Sequence, residues 1–121
     1  MTRDMELVRK ILLQMEASPS GYADSNNFHI QGVDDDVVLN HVYLMEQAGL
    51  LTATNITSMG SSSPIALPMT VTWGGHEFIA ASREPTNWSR GIELAKKAGS
   101  TAFPVVIQAL MKAALERLEK L

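Results

Sequence analysis

The sequence has no lysine or arginine between Lys10 and Arg83. Residues 22–82 carry acidic side chains instead, namely Asp24, Asp34, Asp35, Asp36, Glu46 and Glu77. Because neutralisation of phosphates by cations supplies most of a protein's affinity for DNA, this stretch predicts a poor surface for nucleic acid. Most of the cations lie in residues 83–121, and such asymmetry indicates regions that meet partners differently.

Cysteine and long apolar runs are also absent. The absence of cysteine excludes disulfides and thiolate metal sites. No apolar run approaches a membrane span, and the charged N-terminus, with Arg3, Asp4 and Glu6, is unlike a signal peptide. A chain of 121 residues with 45% hydrophobic content has room for a modest core. We therefore expect a cytoplasmic protein that does not enter the membrane.

Two helices are predicted in the first half of the chain. Residues 3–17 carry apolar side chains at helical spacing, namely Met5, Val8, Ile11, Leu12 and Met15. The second helix begins at the aspartates 34–36, which suit a helix N-terminus, and ends before Gly49. Between them, the alternating run 28–30 predicts a short edge strand.

A hairpin and two further helices follow. Residues 50–56 and 66–72 predict strands joined by the turn 60–64. Thr72 is predicted to cap a helix from Trp73 to about Arg83, and Thr86 or Asn87 a helix that ends at Gly99. The fold class is therefore α+β: residues 1–84 form a core domain with a small three-stranded antiparallel sheet, and residues 85–121 form a C-terminal helical extension. The predicted core contains Leu12, Leu44, Leu50, Trp73 and Phe78.

The last segment, residues 100–121, predicts a helix that is apolar over more than half of its circumference. One small domain cannot cover such a helix, and soluble monomers rarely leave so large an apolar patch exposed. We therefore predict a homodimer. Its interface is expected at Phe103, Ile107, Leu110, Met111, Ala114 and Leu118.

The sequence contains no pattern that predicts catalysis. His29, His41 and His76 lack the spacing of a helical zinc site, and Trp73-Gly74-Gly75 lacks the lysine of a phosphate-binding loop. Adjacent aspartates on a helix point in different directions and cannot converge on one ion. We therefore expect a protein that is not an enzyme, with no catalytic residue, metal or cofactor.

Three motifs in the same order resemble a known family. They are the opening helix from Arg3 to Leu12, the segment His41–Leu50 with its Ala-Gly-Leu ending, and Thr72–Phe78 with Thr-Trp followed by Gly-His-Glu-Phe; a later tryptophan, Trp88, accompanies them. The chain is similar in these to domain of unknown function 2513, a family of small uncharacterised bacterial and phage proteins. The resemblance implies architecture and no biochemical activity, and prophage relatives suggest regulation by association only.

The order of the elements also resembles winged-helix regulators, in which a recognition helix precedes a hairpin called the wing. The leading hypothesis is a non-enzymatic, winged-helix-like interaction module, homodimeric through its last helix, with a further protein partner left open. The alternative is a phage or prophage transcriptional regulator that binds DNA, which the missing cations disfavour. On either hypothesis the expected contact residues are Asn40, His41, Gln47, Thr52, Thr54 and Asn55.

Overall fold

The computed structural model describes residues 3–24, 27–99 and 103–119, without the side chains of Phe103, Pro104, Ala114, Arg117, Leu118 and Glu119. The helices and strands are, in order, α1 (Met5–Glu16), α2 (Asp35–Gln47), β1 (Leu51–Asn55), β2 (Ala66–Val71), α3 (Trp73–Ser82), α4 (Pro85–Lys97) and α5 (Phe103–Glu119). They form two compact units, unit 1 (Met1–His76) and unit 2 (Glu77–Leu121). The α+β class is confirmed.

The first helix of unit 1 forms as its apolar spacing predicts. The Asp4 side chain caps it by accepting hydrogen bonds from the backbone N–H groups of Glu6 and Leu7, at 3.0 and 3.3 Å. One face of α1 is buried, including Ile11 and Leu12, which are fully inaccessible to solvent. This face packs on α2 and β2.

The second helix begins at the predicted aspartates, but without a side-chain cap at its N-cap residue. Asp34 occupies the N-cap position and its side chain makes no capping hydrogen bond. The Asp35 carboxylate lies 3.0 Å from His29 Nδ1 instead. At the other end, Gly49 has a φ of +79°, the left-handed conformation that the predicted helix end requires.

In the part of unit 1 that the structure describes, the sheet consists of the hairpin β1–β2. β1 and β2 pair antiparallel, with Leu51 opposite Val71 and Asn55 opposite Ala66, and the register shifts once, between Thr52 and Ala53. Val38, Val42 and Met45 of α2 are buried, as are Leu51 and Ala66 of the hairpin. Because α2 packs on both strands, this apolar layer is the core of unit 1.

The predicted three-stranded sheet is not confirmed, because residues 28–30 form no strand. Their polar groups bond elsewhere: the His29 carbonyl accepts from the Gln14 side chain at 2.9 Å, and the Ile30 carbonyl accepts from Val33 N–H at 3.2 Å. A run of three residues is too short to outweigh these local partners. The backbone link to β2 from this part of the chain is made by Ala23, whose N–H donates to the Met69 carbonyl at 2.8 Å.

The boundaries of the next two helices differ in one respect from prediction. Thr72 caps α3, since its Oγ1 accepts from Gly75 N–H at 3.1 Å. The N-cap of α4 is Glu84, not Thr86 or Asn87: its carboxylate accepts from Asn87 N–H at 2.9 Å, and Pro85 occupies the first turn. Proline is favoured there because its missing N–H has no helical partner to lose.

The prediction that Trp73 belongs to the core is wrong. Its side chain is 79% exposed, whereas Leu12, Leu50 and Phe78 are buried as predicted and Leu44 is partly buried. Trp73 is the first residue of α3, directly after the Thr72 cap. The buried tryptophan is Trp88, whose ring meets Phe78 edge to face at a centroid distance of 5.9 Å.

In unit 2, α4 and α5 pack closely against each other. Among the α5 side chains that the structure describes, the buried ones are Val106, Ala109, Leu110 and Ala113, which recur at intervals of three and four. Across the part of the chain that is described, no helix has the length and apolarity that a membrane crossing requires. The predicted division into domains 1–84 and 85–121 stays a prediction.

Candidate interaction surface

A pocket of about 340 Å³ lies between the first turn of α2 and the loop that joins the two strands. This loop, residues 56–65, is called the serine loop below. The pocket is lined by Asp36, Ser58, Gly60, Ser61, Ser62, Ser63 and Ile65. Its volume is at the small end of the range for ligand sites, so it suits one small molecule or one long side chain.

Hydrogen bonds within the serine loop fix its shape. Ser58 N–H donates to Ser61 Oγ at 3.0 Å, and Ser61 N–H returns a bond to the Ser58 carbonyl, also at 3.0 Å. At the base of the loop, Ile65 N–H donates to Thr57 Oγ1 at 2.9 Å, and Thr57 Oγ1 donates to the Ile65 carbonyl at 3.2 Å. Ile56 N–H adds a backbone bond to Ile65. The serine loop is therefore an ordered turn with a defined concave side.

Asn40, predicted as a partner contact, ties this loop to the helix. Its side chain is 6% exposed, and its Nδ2 donates to the Pro64 carbonyl at 2.8 Å. A buried amide in such a bond has little freedom to meet an external partner, and breaking the bond would leave a buried polar group without a partner. Asn40 therefore holds the serine loop, which lines the pocket, against α2.

His41, the second predicted contact, is also buried, at 1% exposure. Its Nδ1 donates to the Val37 carbonyl at 2.8 Å, and its Nε2 accepts from Asp4 N–H at 2.9 Å. These partners require the neutral ring with its proton on Nδ1. The ring therefore joins α2 to the N-cap of α1, and His41 serves the structure of unit 1.

The remaining predicted contacts are exposed. Gln47 Nε2 donates to the Tyr43 hydroxyl at 3.2 Å, and Asn55 Oδ1 accepts from Thr57 N–H at 2.8 Å. On the hairpin, Thr52 Oγ1 lies 2.6 Å from Thr70 Oγ1, and the Thr54 hydroxyl donates to the Met69 sulfur at 3.0 Å. Thr52 and Thr54 thus share the outer face of the hairpin, whereas Gln47 lies near the end of α2.

The residues of the predicted dimer interface also divide into buried and exposed side chains. Leu110 is fully buried and Ile107 partly so, whereas Met111 is 59% exposed. Leu115, one turn beyond Met111, is 60% exposed. Leu110 therefore packs inside unit 2 and Met111 does not. The side chains of Phe103, Ala114 and Leu118 lie outside the described residues.

Among the described residues, the acidic side chains of unit 1 do not gather into a group that could hold a metal ion. Throughout residues 3–24, 27–99 and 103–119, no three His, Asp or Glu side chains converge closely enough to hold a metal ion. His29 and Asp35 form an exposed pair at 3.0 Å, with 60% and 68% of their side chains accessible. Exposed pairs of this kind contribute little to stability.

Comparison with known proteins supplies the family. The family described as "Hypothetical protein (DUF2513)" matches residues 2–101. The chain belongs to the DUF2513 family. A protein of Haemophilus influenzae named "Uncharacterized protein" is 33% identical over 89 residues, which cover 74% of this chain and 74% of that protein. No solved structure matches the chain.

The DUF2513 match includes the whole of unit 1 that is described and ends before α5 begins at Phe103. The sequence predicted only a turn at residues 60–64 and gave no indication that Ser61, Ser62 and Ser63 would line a pocket. One signal was available: a hairpin that follows α2 and folds over it can bring its turn close to the start of that helix. Such packing places Asp36 beside the serines although they are distant along the chain. Sequence spacing could not reveal that the Asn40 side chain would fasten the loop there.

Proposed function

We propose that this DUF2513 protein is a non-enzymatic, winged-helix-like interaction module that forms homodimers through α5 and presents unit 1 to a further partner. Regulation of transcription fits such a module, and prophage relatives suggested by the resemblance favour that setting. The proposal rests on one observation above all. Two large apolar side chains, Met111 and Leu115, are more than half exposed one helical turn apart on α5.

Their spacing makes them a single apolar strip, because residues four apart lie on the same face of a helix. The opposite face of α5 is already occupied within unit 2 by Val106, Leu110 and the alanines between and beyond them. Full burial of a methionine or leucine side chain gains about 1.5–3 kcal/mol. A two-fold contact would bury the strip of both chains at once. Each substitution in the strip therefore affects the free energy of dimerisation twice, once in each chain.

The experiment is sedimentation velocity at micromolar concentration on the full chain and on the double variant Met111→Glu, Leu115→Glu. The wild-type chain is expected to sediment as a dimer. The double variant is expected to be monomeric at the same concentration, because four carboxylates would enter an apolar contact. Its dimer dissociation constant should be at least about tenfold higher than that of the wild-type chain.

Met59→Glu is the matched control. Met59 is a fully exposed methionine of the serine loop, so this variant introduces a carboxylate at an exposed methionine that does not belong to α5. This variant should remain dimeric. A wild-type monomer at tens of micromolar would contradict the proposal, and a dimer broken by Met59→Glu would move the contact to unit 1.

DNA binding is the second candidate, and the exposed hydroxyl and amide groups of Gln47, Thr52, Thr54 and Asn55 favour it. Such groups contact phosphates and bases, but they do not neutralise charge. The exposed first turn of α2 carries Asp35 and Asp36, which would repel phosphates, and Asn40 and His41 are buried. In fluorescence anisotropy, submicromolar binding of duplex DNA with a steep salt dependence would select this candidate instead.

A further inference from the structure

The pocket under the serine loop contains a polar group that its own chain leaves unsatisfied. Ser63 Oγ is buried and has no hydrogen-bond partner among the described residues, although Ser63 as a whole is partly exposed and lines the pocket. A buried hydroxyl without a partner is costly, and native structures contain few of them. A ligand that brings a hydrogen-bond donor into the pocket would satisfy it.

The charge around the pocket selects a cation. The Asp36 carboxylate lines it, Asp34 and Asp35 precede Asp36 at the start of α2, and no lysine or arginine occurs between residues 11 and 82. A helix N-terminus by itself attracts anions, but three carboxylates at this one oppose that attraction. Asp36 is exposed at the pocket, so a cation can reach it.

The hydrogen-bonding groups select among cations. Besides Asp36, the lining offers the hydroxyl oxygens of four serines, which all accept hydrogen bonds, and Ile65 supplies an apolar wall. A guanidinium group has five N–H donors in a planar fork and no acceptor, and its aliphatic stem needs apolar contact. An ammonium group has only three N–H donors and is strongly hydrated, so it would form fewer hydrogen bonds with these serines.

We propose that this pocket binds a guanidinium group, with Asp36 as its charge partner and Ser63 Oγ as an acceptor. The assignment goes beyond the proposed function, because it names a ligand chemistry for unit 1 and does not depend on α5. The group could belong to an arginine side chain of a protein partner or to a free guanidinium compound. Both sources share the chemistry and are separated below.

The experiment is a titration of the ¹⁵N-labelled full chain by NMR. The probes are N-acetyl-arginine amide, its uncharged analogue N-acetyl-citrulline amide, and inorganic phosphate. The arginine probe is expected to shift the amide signals of Asp36 and of residues 58–65 with a Kd of about 1 mM, as expected for a single side chain. The citrulline analogue and phosphate are expected to leave them unchanged.

Two variants separate binding from folding. Asp36→Asn should weaken binding of the arginine probe at least about tenfold, because a charged hydrogen bond is roughly twice as strong as a neutral one and the ion pair is also lost. Asp34→Asn removes the same charge from a neighbouring carboxylate that does not line the pocket, and it should weaken binding less than threefold. Ser63→Ala should weaken binding severalfold while the chain remains folded, since it removes an unsatisfied buried hydroxyl.

The source of the group is decided by two further probes. Tighter binding of the peptide acetyl-Leu-Arg-Leu-amide than of agmatine assigns the pocket to an arginine of a protein partner, and tighter binding of agmatine assigns it to a free compound. The proposal is overturned by equal shifts with arginine and citrulline probes, by no shift with arginine at tens of millimolar, or by phosphate binding at these residues.

Discussion

The two units of this chain are stabilised by different chemistry. Unit 1 contains three cations and eight acidic side chains, a formal charge of −5, whereas unit 2 contains seven and five, a formal charge of +2. In unit 1, neutral groups join the helices and the hairpin: His41 bonds to the backbone of Asp4, and Asn40 to that of Pro64. Unit 1 therefore combines a strong surface charge with links that do not depend on charge.

Unit 2 joins its helices by an ion pair and by close packing. Arg90 Nε of α4 lies 3.4 Å from Glu116 Oε2 of α5, and Gly91 of α4 lies directly against Leu110 of α5. Since both Arg90 and Glu116 are about a third exposed, their pairing is screened and weak. The comparison indicates that packing carries most of the cohesion of unit 2, while buried neutral hydrogen bonds add to it in unit 1.

The largest effect is expected from Gly75→Ala in unit 1. A Cβ at this position would collide with the carbonyl oxygen of Leu50 and approach Val71 Cγ1 at 2.7 Å. Because the obstacle is the backbone of the residue directly before β1, the start of α3 would have to move away from the hairpin. We expect the free energy of unfolding to fall by about 3 kcal/mol, at the upper end for overpacking, in urea denaturation followed by circular dichroism.

Gly74→Ala is the control within the same helix. Its Cβ would meet the Gly49 carbonyl oxygen at 3.4 Å, an ordinary contact. Alanine is a better helix former than glycine by about 1 kcal/mol. This variant should therefore be as stable as the wild-type chain or more so, and equal losses for both variants would contradict the close approach of α3 to Leu50.

A smaller loss is expected from Gly91→Ala in unit 2. Its Cβ would approach Leu110 Cδ2 at 2.6 Å and the Leu110 Cα at 3.3 Å. A leucine side chain can rotate away where a backbone carbonyl cannot, and the gain in helix propensity offsets part of the strain. We expect a net loss of about 1–2 kcal/mol, recovered in part by Gly91→Ala combined with Leu110→Val. A larger loss than that of Gly75→Ala would reverse the comparison of the two units.

The sequence predicted the regular elements better than it predicted their contacts. Apolar spacing predicted α1, and two apolar runs around a turn predicted the hairpin. Gly49 predicted the end of α2, and Thr72 predicted the start of α3. All of these signals are local, because they depend on residues within one or two turns of one another. The family resemblance, carried by three short motifs in order, is also confirmed.

Two features that the sequence did not reveal depend on contacts between distant residues. The sequence did not reveal that Trp73 is exposed, because a large aromatic side chain at the start of a helix can pack inward or face the solvent, and the tertiary contacts decide which. It could not tell that Asn40 would find the Pro64 carbonyl, 24 positions away. A polar residue on a predicted recognition helix suggests an external partner, and only the fold shows that an internal partner takes its place.

The smallest effect is expected from the ion pairs on the surface of α4. Lys97 Nζ, 3.3 Å from the Glu93 carboxylate, lowers the pKa of Glu93 below its usual value, and Arg90 at 3.1 Å adds to this. A lowered pKa in the folded state means that the charged carboxylate stabilises the fold at neutral pH, and that this contribution is lost as pH falls through the lowered pKa. Lys97→Gln should therefore raise the pKa of Glu93, measured by NMR titration of its side-chain carboxyl carbon.

The control is Lys96→Gln, which removes the same charge one residue away. Lys96 lies outside the i,i+4 spacing that brings Lys97 to Glu93, so this variant should raise the pKa of Glu93 less. Equal shifts in the two variants would mean that the net charge of unit 2, and not the contact with Lys97, sets this pKa.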